Sequence, residues 1–119
     1  MEFETIDGLV GGMASDFLFL DDRDIDVPSA GKFLNQLENI IKEADNQQME
    51  EIKSVATALN SLLEKVILDS LPDRAAGFTT FEKGISTMQQ IVDDYKNFSA
   101  CKHDLNPYMD SISALIGVK

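Results

Sequence analysis

The sequence predicts an all-α fold, an antiparallel four-helix bundle with an additional loose N-terminal helix. Apolar residues return at every third or fourth position through the long segments, and the joint at Asp45 to Gln48 is short and polar. The chain has 119 residues, 44% of them hydrophobic, enough for one core without help from disulfides or metals. One domain is therefore expected, with residues 1–27 as N-terminal helix and acidic linker and residues 28–119 as the helical bundle.

The first element rests on Ile6, Leu9, Val10, Met13 and Phe17, which share a helical face. Gly8, Gly11 and Gly12 interrupt it, and each costs about 1 kcal/mol relative to alanine in a helix interior. A frayed or loosely docked helix follows. Phe17 to Leu20 also read as a short strand, which is unstable without a partner.

The second element places Phe33, Leu34, Leu37, Ile40, Ile41 and Ala44 on one stripe, with Ser29 as N-cap after Pro28. The polar segment Asp45 to Gln48 then returns the chain as an antiparallel hairpin. The third element, Met49 to Ser70, is the clearest. Met49, Ile52, Ala56, Leu59, Leu63 and Val66 alternate spacings of three and four, Val55, Leu62 and Ile67 widen the face, and Pro72 stops the helix.

A further long helix is predicted from Thr79, because Thr79 and Glu82 have the spacing of a capping box. Its apolar face runs through Phe81, Ile85, Met88, Ile91, Val92, Tyr95 and Phe98. Asn106 and Pro107 start a last, shorter helix carrying Tyr108, Met109, Ile112, Leu115 and Ile116, ended by Gly117.

The surface is strongly acidic, with 21 Asp and Glu against 10 Lys and Arg and a net charge of −11. Such a surface repels phosphate backbones and anionic lipid, so neither nucleic acid nor membrane is an expected partner. A protein presenting a basic patch is, and self-association into a homo-oligomer stays open. Cys101 is the only cysteine and cannot form an internal bridge. The N-terminus shows no basic stretch followed by an apolar core, and the expected location is the cytoplasm.

Motifs for chemistry are sparse. Asp22, Asp24 and Asp26 alternate like the opening of a calcium loop, but Val27 stands where the turn needs Gly and Phe33 where a bidentate Glu is needed. With Asp21 they read as a solvated acidic linker. His103 is the only histidine and lies two residues from Cys101, too few ligands for structural zinc and without a third group for a nucleophilic pair. Gly8, Gly11 and Gly12 lack phosphate-loop spacing. Met49, Met88 and Met109 sit on apolar faces as core fillers. No cofactor or metal is expected, and no catalytic residue.

Asp21 and Asp22 after Phe17 to Leu20, Asp69 after Val66 to Leu68, and Ser99 with Ala100 resemble the acidic pair, phosphoacceptor and hydroxyl residue of receiver domains. Receivers carry these residues at the ends of parallel strands, whereas Met49 to Leu71 reads as one helix. The helix plan itself resembles histidine phosphotransfer domains, including those that open chemotaxis kinases. In that family a His-x-x-Lys-Gly signature lies on the outer face of a bundle helix. The best match is Thr57, Ala58, Leu59, Asn60 and Ser61, with Thr57 in place of the histidine and Asn60 and Ser61 in place of Lys and Gly. A threonine hydroxyl without an adjacent base is a poor nucleophile toward an aspartyl phosphate. The resemblance thus implies a bacterial-type signal-transduction module, related to two-component systems, that binds a protein without relaying phosphate. Its contact would be the outward face formed by Lys53, Thr57, Asn60 and Glu64. The alternative is an active phosphorelay protein using His103 or Asp69.

Overall fold

Apolar recurrence at helical spacing becomes five helices in the computed structural model of the chain, which describes residues 3–20, 25–71, 73–101 and 104–116. They are α1 (Glu4–Leu18), α2 (Val27–Asn46), α3 (Glu50–Ile67), α4 (Arg74–Phe98) and α5 (Asn106–Ile116). No strand occurs among the described residues. Phe17 and Leu18 complete α1, and Val66 and Ile67 complete α3, so the segments Phe17 to Leu20 and Val66 to Leu68, where a receiver needs parallel strands, are helix ends here and not strands.

Two helix starts differ from the sequence expectation because an aspartate upstream provides the cap. Asp26 accepts the Ser29 amide at 2.8 Å, so Ser29 is inside the first turn of α2 and receives the cap instead of supplying it. Pro28 sits in that first turn, where its missing N–H would have no helical acceptor. Asp73 likewise accepts the Ala76 amide at 3.1 Å and starts α4 at Arg74, which leaves Thr79 and Glu82 inside the helix rather than as its capping box. Aspartate satisfies orphan amides and also meets the positive end of the helix dipole.

The ends of α2 and α3 are set by left-handed residues. Gln48 has φ 59° and lets the Met49 amide reach back to the Ala44 carbonyl at 2.8 Å. Asp69 has φ 54° and the Ser70 amide reaches the Lys65 carbonyl at 2.9 Å. Both bonds satisfy carbonyls that the helix end would otherwise orphan. Helix α3 therefore stops at Ile67, short of the expected Ser70; Pro72, the expected stop, and Gly117, the expected terminator of α5, lie outside the described residues.

Helix α1 packs on α2 and α4, α3 packs on α2, α4 and α5, and α5 also touches α4. The N-terminal helix is thus docked, not loose. Ile6, Val10, Met13 and Phe17 are all buried in the same core as the other helices. Burying each such side chain stabilises by about 1.5–3 kcal/mol, which exceeds the roughly 1 kcal/mol each glycine costs. Phe17 meets Phe33 of α2 and Phe78 and Phe81 of α4 at ring-centroid distances of 6.0, 4.7 and 5.5 Å. At the other end of α1, Asp7 pairs with Lys96 of α4 at 2.8 Å.

The α1 glycines have no packing role, since a Cβ added at Gly8, Gly11 or Gly12 meets nothing within 4 Å. Gly8→Ala and Gly12→Ala, both at exposed positions, are therefore expected to stabilise by about 1 kcal/mol each through helix propensity alone. Thermal melts of the double variant should show a higher midpoint. An unchanged or lower midpoint would mean that α1 is not helical in the native state.

Helix α5 is held from beneath. Tyr108 is buried, and its hydroxyl donates to the Thr80 carbonyl of α4 at 2.9 Å. Gly84 makes that seat possible, because a Cβ there would lie 2.5 Å from the Tyr108 hydroxyl and 2.6 and 2.8 Å from the two Leu59 methyls. Among the described residues no helix is long and apolar enough to cross a membrane.

Candidate functional site

The outward face of α3 is built by the same periodicity that buries Ile52, Ala56, Leu59, Leu63 and Val66. Thr57 and Glu64 are exposed on it, while Lys53 and Asn60 are half-buried. The four residues do form one stripe, but they do not serve one concavity. Lys53 and Thr57 line an open groove of about 400 Å³ between α3 and α5, whose other wall carries Met109, Ser113 and Ile116. Glu64 lines a different hollow of about 280 Å³ between α2 and α3, with Leu34, Ile67 and Leu68. Asn60 borders neither.

Local bonds already engage two of the polar groups. The Lys53 ammonium sits 2.9 Å from Asp45 across the α2–α3 hairpin, a hydrogen bond and ion pair that together raise its pKa above the usual lysine value. The Thr57 hydroxyl donates to the Lys53 carbonyl at 2.7 Å, the back-bond that serine and threonine commonly make inside helices. At Thr57 the helix therefore presents a hydroxyl whose proton is turned into its own backbone.

Of the two alternative phosphoacceptors, Asp69 is among the described residues. His103 lies outside the described residues, as do Asp21, Asp22 and Asp24 of the acidic linker. Asp69 is exposed at the left-handed turn after α3, 3.6 Å from Arg74, whose guanidinium also donates to the Ile25 carbonyl at 2.8 Å. That ion pair ties the end of α3 to the start of α4. No group of three or more histidine, cysteine or acidic residues suited to holding a metal occurs among the described residues.

Beyond the outward face of α3, side-chain bonds knit helix to helix. Asp16 accepts from Gln36 at 2.7 Å and pairs with Lys32 at 3.3 Å; the Gln36 bond and then the lysine hold its carboxyl below the usual range. The Tyr95 hydroxyl donates to Glu51 at 2.6 Å, and its pKa rises, first through burial and then through that carboxylate. Burial alone raises Tyr108.

Three features were not legible as candidates before folding. The wall that α5 lends to the α3–α5 groove depends on Gly84, whose only sequence signal was a glycine inside a long helix. The hollow around Leu34, Ile67 and Leu68 joins residues from two helices. A third, of about 240 Å³, lies between α1 and α4. Compared with known proteins, the chain matches no family model, no curated protein and no solved structure.

Proposed function

We propose that the protein is a non-catalytic, acidic, helical interaction module, of phosphotransfer-like plan without the phosphorylatable histidine, that docks a signalling protein through the outer face of α3. In this reading the antiparallel four-helix bundle is made by α1 to α4, in place of the four helices after residue 27 expected from the sequence, and α5 flanks it. Contacts between opposite ends support that arrangement: Lys96 with Asp7, Tyr95 with Glu51, and Phe17 with Phe33. The partner presents a basic patch, because it must approach a surface of net charge −11. A cytoplasmic setting belongs to the same proposal.

The observation that carries the reading is the open α3–α5 groove beside Lys53 and Thr57, in which an exposed polar helix face borders Met109 and Ile116. Apolar side chains flanked by hydroxyls and carboxylates suit a protein contact better than bond-making chemistry. Phosphate transfer would require Thr57 to surrender a proton it gives to its helix, with no base in the motif to take it.

Thr57→Arg/Asn60→Arg tests the proposal. Both positions lie on the outward side of α3, so the fold should persist while positive charge and bulk fill the face. Binding of any basic signalling partner identified by cross-linking in the native host should be lost, and unchanged affinity would remove this face from consideration. Incubating the wild type with a radiolabelled phosphodonor should leave no acid- or base-labile label.

A further inference from the structure

The two most exposed large apolar residues described, Leu18 at 80% and Phe19 at 83%, are neighbours at the end of α1. Exposing them is costly unless something covers them, and Leu18 lines the hollow between α1 and α4. Ala14, Phe17 and Leu18 form one wall; Ile85, Ser86 and Gln89 form the other, and Phe17 and Ile85 make an apolar floor shared with the core. At about 240 Å³ the hollow falls below the roughly 300–1,000 Å³ of small-molecule sites and suits one large side chain.

Its charge is one-sided. Glu82 is the only charged residue lining it, and among the described residues that carboxylate has no ion-pair partner. Helix α1 itself carries Glu4, Asp7 and Asp16 and no lysine or arginine. An apolar socket with a single free carboxylate at its edge favours an apolar side chain with a cation three or four residues away, the spacing at which helical side chains lie side by side. A second copy of this chain fits poorly, because each copy has net charge −11 and pairing through α1 would bring two wholly acidic helices together.

We propose that the α1–α4 hollow docks an amphipathic helix of a partner protein, which inserts one large apolar side chain against Phe17, Leu18 and Ile85 and sets a lysine or arginine on Glu82. The site is separate from the α3 face and does not depend on it.

The test uses the full chain and a short labelled peptide of leucine and lysine, with the leucines on one helical face, followed by fluorescence anisotropy. Leu18→Ser/Phe19→Ser and Glu82→Lys alter exposed groups only, and circular dichroism checks that each remains folded. Each is expected to weaken binding roughly tenfold or more, whereas Leu68→Ser on the α2–α3 hollow and Thr57→Arg/Asn60→Arg on α3 leave it unchanged. A leucine–glutamate peptide should not bind. Equal losses in all four variants would show general attraction to an acidic surface and overturn the proposal. Loss confined to the α3 variant would overturn it while leaving the α3 reading intact. Sedimentation showing a wild-type dimer that Leu18→Ser/Phe19→Ser dissociates would assign the hollow to a second copy and overturn it as well.

Discussion

Phe81→Ala will destabilise the protein by about 3–5 kcal/mol, the usual cost of truncating a buried phenylalanine. Phe81 is fully buried and lies 5.5 Å from the Phe17 ring and 5.3 Å from the Phe33 ring. It therefore joins α4 to α1 and α2 at once. Truncation removes apolar area from the centre of that contact and leaves a cavity that three helices would have to close together. Domains of this kind have only about 5–15 kcal/mol of stability in all, so the loss is a large share. Urea denaturation checks it through the shift in midpoint, with Phe19→Ala as comparison; at 83% exposure that change should fall within about 0.5 kcal/mol of neutral. Equal effects of the two truncations would show that the ring cluster is not part of the folded state.

The second large effect is expected at Gly84→Val, at about 3 kcal/mol, the upper end of the range for overpacking. A Cβ at this position overlaps the Tyr108 hydroxyl and both Leu59 methyls. Leu59 is fully buried in the core and has little room to yield. Tyr108 is the group that can leave, since α5 packs only on α3 and α4. The expected result is a fold that keeps α1 to α4 and releases α5, with the Tyr108 bond to Thr80 broken. Hydrogen exchange would show protection lost across residues 106–116 and largely retained in α3. Gly77→Ala is the contrasting case. Its added Cβ would meet only the Leu71 Cδ1 at 2.7 Å, the far end of a half-buried side chain that can rotate, and alanine favours the helix. That variant should be neutral or stabilising, and a loss as large as that of Gly84→Val would refute the close-approach explanation.

Periodicity identified the core well because it is a local property. Ile52, Leu59, Leu63 and Val66, or Phe33, Leu37 and Ile40, are buried wherever a helix carrying them packs, whatever lies opposite. Boundaries were less legible. Asp26 and Asp73 compete with Ser29 and Thr79 as caps, and the choice depends on which start lets the following face reach the core. The docking of α1 was illegible for a related reason. Its three glycines are a local cost, and the compensation comes from Phe33, Phe78 and Phe81 on helices distant in the chain.

The α3 stripe of Lys53, Thr57, Asn60 and Glu64 was readable as a helical face, but not its division between two hollows, because α5 supplies one far wall and α2 the other. Likewise Leu18 and Phe19 read as ordinary apolar residues. Their exposure became visible only once Phe17 had turned its ring inward and the helix had placed its neighbours outside.

By itself, then, the order of residues determined that this chain is helical, acidic and sided, since spacing and charge act over one or two turns and need no partner. Which helix lies against which, where α1 docks and where hollows open were decided only by tertiary packing. Those outcomes depend on side chains far apart in sequence fitting at contact distance, as Gly84 does beneath Tyr108 and Leu59, and no local pattern records that fit.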